Sequence, residues 1–318
     1  MNGLHLRLPA TSANLGPGFD AAALALQLYL DVQAEAASAF RIEATGRNPE
    51  VCGAVENNLL LETYRAVLTE HGRPTMPLHL RMHNEIPLGM GCGSSAAVRL
   101  AAVALASCFG ELAWERDQIL AEACRLENHP DNAAACWMGG FVVSALEEGV
   151  KAVSLTPPDE WCALLVLPAR PLATTASRGL LPEAYSRADV VANLQRVGLL
   201  TAAFASGRGD LLTVAMGDRV HQPYRSEACP LLRKLLPLAG RSGILGVALS
   251  GAGPAVVLLV GRREKAAEAQ GAVMMALEGG EPVELLLCGL EAQSATCDRV
   301  NPEPSRQGNR QSGRIRHW

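Results

Sequence analysis

Near the start of the chain apolar and polar positions alternate: Leu4, Leu6 and Leu8 are separated by His5 and Arg7. A period of two belongs to a strand with one buried face. The alternation recurs at Leu24, Leu26, Leu28 and Leu30, inside a segment that predicts a strand over residues 21–32, and again at Leu78, Leu80 and Met82. Between the first two strands, residues 9–20 hold Pro9, Gly16, Pro17 and Gly18, which predicts a shaped loop. The period then changes. Residues 96–106, rich in Ala, Val and Leu, predict a helix buried on most sides. Residues 114–126 place Ile119, Leu120, Ala123 and Cys124 at helical spacing after early acidic residues.

Further along, the pattern predicts strands at 141–146 and 162–167 and helices at 189–206 and 209–219. Strands at 247–249 and 255–260 flank a glycine turn, followed by a helix at 263–277 and a last strand at 283–287. Thr156-Pro157-Pro158-Asp159 is the candidate domain boundary, and the polar stretch from residue 301 onward predicts a disordered basic tail. Strands and helices mix without a regular strand–helix–strand rhythm, so an α+β architecture is expected rather than a doubly wound sheet.

Composition narrows the field. The chain has 318 residues, enough for two domains, and its 49% hydrophobic content supplies their cores without disulfides or a structural metal. A formal net charge of −4 carries no sign of a nucleic-acid partner, which wants a basic excess on one face. Nine cysteines, an odd number with no Cys-x-x-Cys pair, predict reduced thiols in a cytoplasmic protein rather than a disulfide framework or a zinc site. The first residues lack the charged-then-apolar order of a signal peptide, and no apolar run is long enough to span a bilayer, so no membrane association is expected.

Three segments carry candidate chemistry. Pro87-Leu88-Gly89-Met90-Gly91-Cys92-Gly93-Ser94-Ser95 lies between a strand and a helix. Its alternate glycines let the backbone approach an anion, and the helix N-terminus that follows offers free N–H groups to a phosphate. It is neither a Walker loop nor a Rossmann fingerprint in spacing. Glu127-Asn128-His129-Pro130-Asp131-Asn132 gathers two carboxylates, an imidazole and two amides where Pro130 is expected to end a helix. Such groups suit a divalent cation and the orientation of a phosphoryl acceptor. Ser250-Gly251-Ala252-Gly253-Pro254 sits between two apolar runs. Each segment alone has an ordinary reading: a Ser-capped connection, a solvated helix end, a glycine turn. Asn14 and Asp20 of the N-terminal loop, and the arginines Arg187 and Arg225, are weaker candidates still.

In this order and spelling the segments resemble the GHMP kinases. That superfamily carries a Pro-x-x-x-Gly-x-Gly-Ser-Ser-Ala phosphate loop, which Pro87, Gly91, Gly93, Ser94, Ser95 and Ala96 match, and a C-terminal glycine motif that residues 250–254 resemble. Within it, the stretch Pro9-Ala10-Thr11-Ser12-Ala13-Asn14-Leu15-Gly16-Pro17-Gly18-Phe19-Asp20 is similar to the homoserine kinase version. So are the Glu-x-His-Pro-Asp-Asn block, residues 181–187 and residues 218–225. Cys92 stands where Leu is usual, and Ala173 precedes Thr174 where a Ser often sits.

The resemblance implies a two-domain fold, with an N-terminal unit like domain 2 of ribosomal protein S5 (residues 1–155), a ferredoxin-like C-terminal unit (156–300) and a tail (301–318). It implies transfer of the γ-phosphoryl of ATP to the hydroxyl of L-homoserine, with Mg²⁺, in threonine biosynthesis. Pro87, Leu88, Gly89, Met90, Gly91, Cys92, Gly93, Ser94 and Ser95 would wrap the nucleotide, and Glu127 with Ser94 or Ser95 would hold the metal. Asn14, Asp20, His129, Asp131, Thr174, Arg187 and Arg225 would bind homoserine, with Glu127, Asn132, His129 and Asp131 around the reacting groups and no general base assigned. A homodimer is expected. A GHMP kinase acting on another alcohol and an inactive GHMP-fold binding protein are the rival readings.

Overall fold

The computed structural model describes residues 3–171 and 177–300; Thr174 and the tail expected from residue 301 lie outside them. Strand β1 (Gly3–Asn14) buries Leu4, Leu6 and Leu8 and pairs antiparallel with the long β2 (Gly18–Ala36). Residues 9–14, expected as loop, therefore belong to a strand, and only residues 15–17 form the turn. The register shifts between Pro9 and Ala10. A bulge there accommodates the missing proline N–H, so the ladder resumes beyond it.

β2 is the spine of a seven-stranded sheet. Its first half pairs with β5 (Phe141–Leu146) and its second half with β4 (Leu78–Asn84). β3 (Arg41–Gly46) lies parallel to β4, and β6 (Val150–Leu155) pairs with β5. Helices α1 (Pro49–Cys52) and α2 (Leu59–Glu70) follow β3. Then α3 (Ser94–Phe109), α4 (Arg116–Glu127) and α5 (Asp131–Met138) follow β4. α3 buries Ala96, Ala97, Leu100, Ala101, Ala102, Val103, Ala104, Leu105 and Ala106; its small side chains let neighbouring elements pack close. α4 ends at Glu127, where Asn128 takes the left-handed conformation (φ 62°), not at Pro130. Pro130 instead opens α5, where a fixed φ and an absent N–H suit a helix start.

The chain crosses at residues 156–159 to a four-stranded antiparallel sheet, ordered β10 (Val283–Gly289), β7 (Cys162–Pro168), β9 (Val256–Val260), β8 (Ile244–Leu249). β7 is apolar throughout because both faces are covered. Ala163, Leu165 and Leu167 join the core shared with the first sheet, while Cys162, Leu164 and Val166 join a second core. Leu232 and Leu235 of α9 (Pro230–Leu235) and Ala269 and Val273 of α10 (Ala266–Ala276) complete that second core. α6 (Arg187–Ser206) reaches back to the first sheet through Phe204, which stacks on Phe141 at 4.1 Å and meets Trp161 edge-on at 5.4 Å.

Two expectations are corrected here. Residues 209–219 are not one helix but a 3₁₀ turn (Gly209–Leu211) and the short α7 (Leu212–Ala215). The chain leaves α7 because the Asp218 carboxylate accepts from the N–H groups of Val220, His221 and Gln222 and so starts α8 (Gln222–Arg225). Nor is β10 the last strand: β11 (Thr296–Val300) returns to pair with β1 in the first sheet. The mixed helix-and-sheet class is as expected, the nine cysteines are free, and among the described residues no helix is long and apolar enough to cross a membrane.

Phe204→Ala removes the aromatic bridge between the two sheets and should lower the unfolding free energy by about 3–5 kcal/mol. Urea unfolding followed by circular dichroism measures it; a loss under about 1 kcal/mol would mean that the bridge contributes little.

Candidate active site

The loop between β4 and α3 is pressed against two other segments. A side chain at Gly91 would place its Cβ 2.1 Å from Ser250 O, and one at Gly93 would place it 1.9 Å from Thr11 Oγ1; both residues have positive φ (78° and 70°). Only glycine fits either position. Across these contacts, Thr11 N donates to Cys92 O (3.1 Å), Ala255 N to Met90 O (3.3 Å) and Gly251 N to Ala13 O (3.0 Å). Ser250 Oγ lies 2.9 Å from both Ser12 Oγ and Gly91 O. Burial pushes the Cys92 thiol up to about 12, so it serves as a small apolar group.

Gly93 caps α3 without a side chain, so the first N–H groups of a 16-residue helix have no capping oxygen. That end, with Ser94 and Ser95, lines a cleft of about 260 Å³ together with Asn57, Asn58, Leu88 and Val98. The combination of free N–H groups and helix dipole suits an anion.

Beside the helix end stands Glu127, its side chain 7% exposed. Its Oε1 accepts from Ser95 Oγ (2.6 Å) and from Arg99 Nη1, while Oε2 is 3.8 Å from His129 Nε2. The hydroxyl that meets Glu127 is thus that of Ser95 rather than Ser94. His129 Nδ1 bonds Asp131 Oδ1 at 2.7 Å; that oxygen also accepts from Asn132 N (2.7 Å). Asn132 Oδ1 in turn accepts from Thr11 Oγ1 (2.7 Å). Ligand-capable atoms of Asp20, His129 and Asp131 lie within 4.8 Å of one another. Burial alone would lower the His129 pKa, but the Asp131 hydrogen bond and the carboxylates of Asp131, Glu127 and Asp20 outweigh it and raise the pKa above the usual histidine value.

The third wall is cationic. Asn14, in the left-handed region (φ 70°), donates through Nδ2 to Gly251 O (2.9 Å) and accepts from Asp20 N (3.0 Å), closing the turn between itself and Asp20 at the start of β2. Arg178 grips Asp20 with both Nη atoms, at 3.0 and 2.7 Å. Arg178 and Arg225 both lie over the Phe19 ring, 5.6 and 5.3 Å from its centroid. Arg225 is 1% exposed, yet among the described residues no carboxylate pairs with it; its partners are Ser177 O (3.3 Å) and His221 Nδ1 (3.1 Å). Burial, reinforced by the neighbouring Arg178 charge, lowers its pKa.

Arg187, the arginine selected from sequence to partner Arg225, stands exposed on the first turn of α6 and makes no described hydrogen bond or ion pair. The physical reason is topological: the residue that reaches Asp20 is Arg178, upstream of that helix. Sequence reasoning also passed over Arg99, although it follows Ser95 at the i, i+4 spacing that puts two residues on one helix face. Thr174 lies outside the described residues.

Known proteins resemble this chain in sequence and fold. Residues 58–140 match the model of the GHMP kinases N terminal domain, and residues 200–275 match that of the GHMP kinases C terminal domain. The homoserine kinase of Solibacter usitatus is 44% identical over 262 residues, which cover 81% of this chain and 85% of that protein. That of Moorella thermoacetica is 38% identical over 269 residues, covering 84% and 91%. The crystal structure of homoserine kinase from Cytophaga hutchinsonii superposes with a TM-score of 0.78 at 24% identity, over 94% of this chain and 98% of that one, a likeness of fold. With relatives at this identity and coverage, the chain belongs to the homoserine kinase family of the GHMP kinases.

Proposed function

We propose that this chain transfers the γ-phosphoryl of ATP to the hydroxyl of L-homoserine, giving O-phospho-L-homoserine for threonine synthesis in the cytoplasm. The observation that carries the reading is the charge pattern: one carboxylate, Asp20, set against two guanidinium groups, Arg178 and Arg225, beside an uncapped helix N-terminus. An α-amino acid presents the opposite pattern, an ammonium and a carboxylate a bond or two apart. A hydroxy acid such as mevalonate has no ammonium to pair with Asp20, only neutral hydroxyl donors, which weighs against that rival. An inactive binding protein has no use for Ser95, Glu127 and the glycine loop held in register.

On this reading the N-terminal unit binds ATP: loop 87–93 and the α3 N-terminus hold the phosphates through backbone N–H groups, and the cleft lined by Asn57, Leu88 and Val98 takes the nucleoside. Glu127, with the Ser94 or Ser95 hydroxyl, offers the hard oxygen donors that fit Mg²⁺. When bound, that ion neutralises charge on the phosphates. Asp131, held by His129 and Asn132, orients the acceptor hydroxyl. The raised pKa of His129 suits charge stabilisation better than proton removal. Phosphoryl transfer through a loose transition state runs largely on such positioning.

A coupled ADP-release assay with Mg-ATP and a panel of L-homoserine, D-homoserine, L-serine, mevalonate and galactose tests the function directly. Turnover confined to L-homoserine is expected; turnover only with another alcohol would overturn the acceptor assignment. Glu127→Gln should lower kcat about 100-fold or more while ADP binding by calorimetry changes little; an unchanged rate would remove Glu127 from the metal. Arg178→Leu should raise the homoserine KM about 10–100-fold, whereas Arg187→Leu should leave it within about twofold. The reverse ranking would restore Arg187 to the site.

A further inference from the structure

His221 is fully buried, and the mechanism above makes no use of it. Its two ring nitrogens have partners of opposite kind. Nδ1 lies 3.1 Å from Arg225 Nη1, and a guanidinium can only donate; Nε2 lies 2.7 Å from Gly16 O, and a carbonyl can only accept. Both bonds form together in one state alone: the neutral imidazole with its proton on Nε2. An imidazolium would set an N–H donor against the Arg225 donor. The ring is also stacked on Phe19, 5.3 Å between centroids, the same ring over which Arg178 and Arg225 lie. The groups facing His221 are Asp218, whose Oδ2 is 3.6 Å from Nε2, Arg225, the Gly16 carbonyl and, further off, Asp20. Burial foremost, with the Arg225 charge, lowers the His221 pKa despite Asp218, in keeping with the neutral form.

We propose that His221 is a positioning residue that sets the acceptor's cationic clamp against its anionic contact: one nitrogen holds the Arg225 guanidinium and the other holds the turn between Asn14 and Asp20 at Gly16. The inference rests on the proposed acceptor chemistry. Asp20 and Arg225 come from segments more than two hundred positions apart, and a charge-complementary site requires their separation to be fixed. Gly16 lies between Asn14 and Asp20, so the Nε2–H bond reaches the anionic side of the site in one step. Asp218 anchors the other end, since the carboxylate that caps α8 takes its side-chain bond from Asn193 Nδ2 (2.7 Å) on α6. No other side chain among the described residues bonds Arg225.

The test combines kinetics with a substrate-free readout. His221→Phe keeps the stack on Phe19 and removes both polar bonds. It should raise the homoserine KM about 10–50-fold and leave the ATP KM within about twofold. Introduced into Arg225→Leu it should add a clearly smaller factor, because one of the two groups it positions is already gone and only the Gly16 contact remains to be lost. Equal factors in both backgrounds, or parallel increases in both KM values, would overturn the proposal. Should the Phe variant not fold, His221→Asn replaces it: its carbonyl can stand in for Nδ1 toward Arg225, and a homoserine KM as poor as that of Arg225→Leu in a folded Asn variant counts against the idea. Independently of any acceptor, ¹⁵N spectra of the imidazole near neutral pH should show the neutral Nε2–H tautomer, with the Nδ1 resonance moving in Arg225→Leu. An imidazolium overturns the proposal, whereas wild-type protein that shows this tautomer but no homoserine turnover overturns the acceptor assignment alone.

Discussion

Three backbone segments distant in sequence approach one another more closely than side chains allow, and the arrangement of the site depends on that approach. The loop at Gly91 and Gly93 lies against Ser250 and Thr11, with Cβ positions that would fall 2.1 and 1.9 Å from neighbouring atoms. Because the contact is made by backbone, its geometry is set by peptide planes and hydrogen bonds rather than by rotamers. Thr11 illustrates the result. Its N–H holds the loop at Cys92, while its hydroxyl holds Asn132 at the head of α5. One strand residue thereby fixes the glycine loop relative to the head of α5. A methyl group at Gly93 would strike both Thr11 and Asn132, and one at Gly91 would strike Ser250 and Gly253.

The same economy of position places the charges. Asp131 is 1% exposed and Arg225 likewise, burials that ionised groups sustain only when their polar atoms are satisfied. Asp131 Oδ1 takes bonds from His129 and the Asn132 N–H. Arg225 is satisfied less completely, by a carbonyl and an imidazole nitrogen, neither of them charged. A buried cation held by dipoles alone leaves favourable interaction for an incoming anion to make. The surrounding structure supports it at a distance: Gln222, one turn from Arg225, accepts from Leu249 N (2.7 Å) through its side chain and ties α8 to β8, the strand that leads into Ser250.

Much of this was legible in the sequence, for identifiable reasons. β7 and β9 read as strands because two covered faces demand continuous apolar runs. α3 read as a buried helix because alanines fill it. Residues 9–14 were misread because Pro, Ser, Thr and Asn are turn formers locally, and only pairing with β2 through a bulge makes them a strand. β11 was missed since its side chains alternate weakly at a sheet edge, where no buried face enforces a pattern. The break in residues 209–219 comes from the Asp218 side chain acting as a cap, which helical periodicity does not register. In the candidate site, segments with distinctive spelling singled out Asn14, Asp20, Glu127, His129, Asp131 and Arg225 through resemblance. Arg178 and Arg187 look alike in sequence, and what separates them is a pairing across 158 positions with Asp20.

That pairing bears on selectivity. Asp20 pairs with Arg178, while the partners of Arg225 among the described residues are a carbonyl and an imidazole nitrogen. On the proposed reading an amino-acid zwitterion enters by exchange: its ammonium takes Asp20 while its carboxylate is shared by the two guanidinium groups, so the ligand replaces the one protein ion pair with contacts to all three charged side chains. A molecule with a carboxylate alone must either compete with Asp20 for Arg178 or leave Asp20 unpaired, and an unpaired, partly buried carboxylate costs on the order of 1–3 kcal/mol or more. Rejection of hydroxy acids then follows from the ion pair that the acceptor must replace, a penalty built against the wrong ligand as much as a contact offered to the right one.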